Sequence, residues 1–168
     1  MLETAFEAAY AAGKLLRQNF GSTLNVNQAT QHDIKLEMDE QAQKTITKIV
    51  LAEFPEHAIL GEEGVSGRAD AEARWVIDPL DGTVNYFYGI TFYAVSIAAQ
   101  VRAQSVGAAF QPRPGSEDRA QKGAPTTPEN WQTVAGVVYA PEMDEMFAAE
   151  RGGTPTLNGR AKIGRAHV

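Results

Sequence analysis

Cysteine is missing from all 168 residues, so no disulfide framework holds the fold and no thiolate can ligate a metal. Histidine is scarce as well. His32, His57 and His167 make no zinc-ligand spacing, which sets zinc hydrolase chemistry aside. Positive charge is the minority sign, with 15 Lys and Arg against 21 Asp and Glu for a net charge of −6. A binder of phosphate backbones shows clustered Lys and Arg, so no nucleic-acid partner is expected. Long hydrophobic runs are few. Val84 to Val101 carries no charge, but Asn85, Gly89, Ser96 and Gln100 interrupt it and Tyr93-Val95-Ile97 alternate, as in a buried strand and not a membrane span. Met1-Leu2-Glu3-Thr4 lacks a basic stretch leading into an apolar core, so no secretory signal is read and a cytoplasmic location is expected.

What is present suffices for a core, since 43% of the residues are hydrophobic. Leu2, Phe6, Ala9, Gly13, Leu16 and Phe20 recur at helical spacing, with Gly21 as the stop. A second helix is predicted after Asp39, with Ala42, Ile46, Ile49 and Val50 on one face and Phe54-Pro55 ending it. Strands are predicted from His57 to Leu60, Arg74 to Ile77, Thr91 to Val101, Val134 to Ala140 and Met146 to Ala149. Helices first and mainly antiparallel strands afterwards indicate an α+β layered domain. Residues 111–132 depart from this pattern. They are polar and rich in Pro and Gly, which predicts a flexible, exposed insertion, a tolerated surface extension in preference to a regulatory or partner-binding insert.

The chemistry concentrates where the apolar run Trp75-Val76-Ile77 meets Asp78-Pro79-Leu80-Asp81-Gly82-Thr83, with Gly61-Glu62-Glu63 upstream. Like charges brought together repel unless a cation lies between them, so this acidic convergence predicts a magnesium site. Pro79 fixes its own φ and biases Asp78 toward extended conformations, so the strand is expected to end at Asp78 and turn. Asp78, Asp81 and the Leu80 carbonyl can then converge on one hard ion. Gly82 and Thr83 fall where a helix begins, and free N–H groups there bind phosphate oxygens. Asp78 and Asp81 also suit turn and N-cap positions, but that reading leaves Gly61-Glu62-Glu63 unexplained.

These residues carry a resemblance. Gly61-Glu62-Glu63, the stretch from Trp75 to Asn85, and Gly89 followed by Val95-Ser96-Ile97-Ala98 are similar to the first two signatures of the inositol monophosphatase family of magnesium-dependent phosphatases. Weaker similarity lies in Asp33 to Asp39, Val137 to Pro141, Ala149 to Gly153 and Leu157-Asn158-Gly159. The resemblance covers the chain to about Ala161 apart from the insertion. It implies the N-terminal part of the α-β-α-β-α sandwich of the inositol monophosphatase and fructose-1,6-bisphosphatase superfamily, as one domain over residues 1–162.

It further implies Mg²⁺-dependent hydrolysis of a phosphomonoester, inositol monophosphate or a similar sugar or polyol phosphate, by a metal-activated water. Two cations lower the pKa of a water and neutralise the entering and leaving oxygens. Carried over residue by residue, Glu62, Asp78 and the Leu80 carbonyl would hold one Mg²⁺, and the bridging Asp78 with Asp81 would serve the second. Glu62, Thr83 and Asp39 form the implied catalytic group, with Thr83 orienting the water and Asp39 bonded to Thr83. Asp81, Gly82 and Thr83 would bind substrate, and Glu63 would stand behind the ligands or at a third, weak metal site. Asp39 has a simpler alternative as the N-cap of the second helix. Leu36, Gln28 and Thr91 depart from the family pattern. Val84-Asn85-Tyr86 favours the inositol monophosphatase branch over the histidinol-phosphate and adenosine-bisphosphate branches, and these two with the fructose-bisphosphate branch stand as the alternatives within the family. A haloacid-dehalogenase-type phosphatase needs Asp-x-Asp, whereas two residues separate Asp78 from Asp81.

The family's C-terminal half, with its Trp-Asp signature and further metal-binding Asp, has no counterpart, since Trp75 precedes Val76 and Trp131 precedes Gln132. A truncated parent enzyme, itself expected to be a homodimer, is the reading. Ile163 to Val168 is the translation of ATC GGA AGA GCA CAC GTC, the start of a common sequencing adapter, so residues 163–168 are expected to be a non-native tail. The enzyme is the parent protein, and the chain as written is expected to be inactive by itself; the alternative reading of the function is a non-catalytic fragment of such an enzyme.

Overall fold

A computed structural model describes residues 1–22, 26–29, 34–62, 64–68, 70–103 and 131–162. The bulk of the insertion, Glu63 and residues 163–168 lie outside them, as do the side chains of Gln28 and Leu36. Helix α1 spans Leu2–Asn19. Its inward stripe is richer in alanine than the predicted one: Ala5, Ala8, Ala9, Ala12 and Leu16 are fully buried, while Leu2, Phe6 and Phe20 pack at the border. Small side chains let the helix lie close on its neighbours. At Gly13 even a Cβ would sit 2.5 Å from the Tyr139 ring.

Strands β1 (Val26–Ala29) and β2 (Ile34–Leu36) form a separate antiparallel pair that leads directly into α2, Glu37–Glu53. The helix begins three residues before the position expected, at Glu37 instead of after Asp39. Asp39 therefore lies inside the first turn, 4% exposed, and is not the N-cap. Ala42, Ile46 and Val50 face the core as predicted.

The remaining strands make one eight-stranded sheet, numbered in chain order as β3 (Ala58–Gly61), β4 (Gly64–Gly67), β5 (Ala73–Asp81), β6 (Ala94–Arg102), β7 (Trp131–Ala140), β8 (Glu145–Glu150), β9 (Thr156–Leu157) and β10 (Arg160–Ala161). Across the sheet the order is β10-β9-β8-β7-β6-β5-β3-β4. Only the β3–β5 pair is parallel among the described strands. Short helix α3, Thr83–Phe87, leaves the end of β5. Helices α1 and α2 cover one face through Ile59, Trp75, Ile77, Val95, Ile97, Ala135, Val137 and Tyr139. The fold is α+β and layered. Among the described residues no helix is long and apolar enough to cross a membrane.

Two boundaries differ from the sequence reading for identifiable reasons. Strand β5 does not end at Asp78 but continues to Asp81, with an irregular register between Asp78↔Ser96 and Asp81↔Ala94. The extended backbone that proline imposes on Asp78 is itself strand-like, and the missing Pro79 N–H is absorbed in a bulge. Trp131 and Gln132, assigned above to the insertion, belong to β7. They pair with Arg102 and Val101, and the Arg74 and Arg102 guanidinium groups lie 4.3 and 5.0 Å from the Trp131 ring centroid.

At the base of β3 and β5, Trp75 Nε1–H donates to His57 Nδ1 at 3.0 Å, and Phe54 stacks on the imidazole at 4.7 Å. A nitrogen that accepts this bond must be unprotonated. Burial first, and the N-terminal ammonium second, hold the His57 pKa below 6.5. As pH falls through about 6.5 the unfolded chain takes up this proton before the folded one, so stability is lost down to the folded value. The thermal midpoint of the wild type should therefore drop more steeply from about pH 7 to about pH 5 than that of His57→Gln. Equal slopes would contradict the assignment.

Candidate active site

The acidic residues come from two strand ends and one helix. Gly61 pairs with Gly64 across the β3–β4 hairpin, and Glu62, directly after Gly61, stands exposed in its turn. Beside it, β5 delivers Asp78 and Asp81 to the open side of the sheet. Between them Pro79 and Leu80 turn inward, and Leu80 is 1% exposed. Gly82 follows at φ +90, where a Cβ would also meet the Phe92 carbonyl oxygen at 3.0 Å. Only glycine fits this corner without strain. It lets the chain turn at once into α3 and places Thr83 next to the acids.

Thr83 Oγ1 lies 3.0 Å from the Leu80 carbonyl oxygen and 3.3 Å from Asp39 Oδ1. The hydroxyl thus has two acceptors within reach of its one proton. The Asp39–Thr83 contact implied by the resemblance is present, and it ties buried α2 to the corner.

The electrostatics couple the three exposed acids. Asp78 is pushed above the usual carboxylate range, first by burial, then by the charge of Asp81, with Glu62 adding to it; the Leu80 N–H opposes the shift. The Asp78 side chain remains open to solvent, so this burial comes from the surrounding protein on one side only. Among the described residues no three His, Asp or Glu side chains close into a finished metal cage. The donor set is nevertheless all oxygen: three carboxylates that repel one another and a backbone carbonyl. Such a set fits a hard cation such as Mg²⁺ or Ca²⁺ and not a thiolate- or imidazole-seeking metal.

Sequence reasoning missed several parts of this region. Asn85 Nδ2–H donates to the Phe92 carbonyl oxygen at 2.7 Å, and the Tyr86 hydroxyl donates to the Leu16 carbonyl oxygen at 2.7 Å, fixing α3 to the β6 approach and to α1. A cavity of about 420 Å³ opens beside Asp81, bounded by Gly82, Asn85, Phe92, Val138 and Met143. Asn85, three residues into the motif helix, was the available signal. Val138 and Met143 are too distant in sequence to have given one.

The sequence and fold are similar to those of known proteins. The chain matches the inositol monophosphatase family over residues 1–127 and belongs to it. It is 31% identical over 163 residues to the inositol-1-monophosphatase of Rhizobium meliloti, covering 95% of this chain and 51% of that protein. It is 37% identical over 161 residues to the fructose-1,6-bisphosphatase/inositol-1-monophosphatase of Aquifex aeolicus, covering 95% and 50%. The crystal structure of the extragenic suppressor protein suhB from Bartonella henselae superposes with a TM-score of 0.73 at 31% identity, over 95% of this chain and 52% of that one. The chain spans about half the length of the curated relatives it matches.

Proposed function

We propose that the protein carrying this chain is a Mg²⁺-dependent phosphomonoesterase acting on inositol monophosphate or a similar sugar or polyol phosphate. The observation that carries the reading is the corner itself: Asp78 held above its ordinary range by burial and then by the charges of Asp81 and Glu62, with Thr83 and Asp39 hydrogen-bonded at the same turn. Glu62, Asp78 and the Leu80 carbonyl would hold one Mg²⁺, and Asp78 with Asp81 the other. When bound, the metal lowers the pKa of a water and neutralises phosphoryl charge.

The chain's own groups position the rest. With the Thr83 O–H donating a hydrogen bond to Asp39, its oxygen lone pairs turn outward and can accept a hydrogen bond from the attacking water, orienting it. Asp39, 4% exposed and locked in α2, keeps that acceptor in place. The N–H groups of Gly82 and Thr83, at a helix start with no intrahelical partner, face incoming phosphate oxygens as donors. With a net charge of −6 the chain offers no general attraction for anions, so substrate affinity must come from these local groups and the metal.

A bisphosphate substrate is the second reading, favoured by the double name of the Aquifex aeolicus relative. The complete protein, assayed with magnesium on inositol monophosphate, fructose 1,6-bisphosphate, histidinol phosphate and adenosine 3′,5′-bisphosphate, is expected to show its highest kcat/KM on the inositol ester. A higher value on fructose bisphosphate would move the assignment to the second reading, and no release from any of the four would remove the phosphatase.

A further inference from the structure

Glu62 is placed at the tip of a hairpin that little supports. The outer strand β4 is exposed along all four residues, and Val65 is 69% exposed. The parallel pairing of β3 with β5 runs from Ala58↔Arg74 to Leu60↔Val76 and stops one residue short of Gly61. The last backbone unit before Glu62 is thus beyond the ladder that fixes β3 relative to Asp78.

What meets it is Gln43. A Cβ at Gly61 would lie 2.7 Å from Gln43 Cδ, Nε2 and Oε1 alike, so the side-chain amide lies flat against the bare glycine. Gln43 stands one turn after Asp39 on α2, and residues four apart share a helix face. One face of one helix therefore touches both sides of the acidic corner: Asp39 at Thr83 and Gln43 at Gly61. We propose that Gln43 is a positioning residue that holds the Glu62 turn at a fixed distance from Asp78 and Asp81, with Gly61 required to admit it. This rests on the metal-site reading above. The benefit is geometric: ligands presented in place bind a cation without first ordering a free hairpin tip.

The test is calorimetric titration of the metal-free complete protein with Mn²⁺ alone, a cation of the same oxygen preference as Mg²⁺. Gln43→Ala is expected to weaken Mn²⁺ binding by about tenfold or more, the scale of lost supporting contacts around metal ligands. Gln43→Met, which keeps length and packing, should recover most of that loss. Gly61→Ala should weaken binding similarly, and the double variant with Gln43→Ala should lose less than the two single effects together, because both disturb one contact. The thermal midpoint of Gln43→Ala should stay near the wild type, since alanine suits a partly exposed helix position. Unchanged Mn²⁺ affinity in Gln43→Ala, fully additive single effects, or affinity lost only along with the fold would overturn the proposal while leaving the phosphatase reading intact. Absence of Mn²⁺ binding by the wild type would overturn both.

Discussion

Asp78→Asn in the complete protein is expected to reduce metal-dependent phosphate release by well over about a hundredfold while raising the thermal stability of the metal-free form. Changes to residues that merely support metal ligands already cost about 10–100-fold. Asp78 feels the charges of both Asp81 and Glu62, and in the proposed site it would serve both cations, so its loss would remove the charge they share. The stability gain follows from the same environment. Burial and two neighbouring acids disfavour the charged form of Asp78. A carboxylate whose pKa is raised by folding costs stability above the folded value, and that cost fades as pH falls toward the unfolded value of 3.8. The asparagine carbonyl still accepts from the Leu80 N–H without the charge. The advantage of Asp78→Asn should therefore be largest near neutral pH without metal and shrink on acidification. Near-normal turnover, or a lower metal-free melting temperature at neutral pH, would contradict this account.

Trp75→Ala should give the largest loss of stability. Trp75 is fully buried in the centre of β5, against Phe54 and His57, and pairs with Ala99 on one side and Ile59 on the other. Truncating a buried tryptophan costs about 3–5 kcal/mol, because lost burial and the remaining cavity add. Set against a total stability of about 5–15 kcal/mol, that removes a large share. It also frees the His57 acceptor and loosens the strand that carries Asp78 and Asp81. Denaturant unfolding of Trp75→Ala, with Trp75→Phe as the milder replacement, measures the effect. A change below about 1 kcal/mol in the alanine variant would show that β5 is held chiefly by other contacts.

How much of this was legible in the sequence depends on the range of the cause. The start of α3 at Thr83 could be read because the turn it needs is local: only glycine fits the positive φ at Gly82. The end of α2 at Phe54-Pro55 was equally local. The continuation of β5 past Asp78 was misread because proline constrains its own residue and the one before it. Whether a neighbouring strand tolerates the resulting bulge is set by β6, far along the chain. Trp131 and Gln132 were placed in the insertion by composition, yet their partners Arg102, Val101 and Arg74 come from the other side of it. The separation of Asp39 from Thr83 likewise hid their contact from spacing, and it was expected only through family resemblance. Gln43 gave no signal at all, because its neighbour Gly61 comes from a different element.

On the proposed reading, Glu62, Asp78 and Asp81 serve a magnesium-dependent phosphatase. Its most direct test is phosphate release from inositol monophosphate by the complete protein, first with magnesium, then after excess chelator, then with magnesium restored. The account predicts turnover that ceases with the chelator and returns with the ion. Turnover indifferent to the chelator, or none under any of the three conditions, would contradict it.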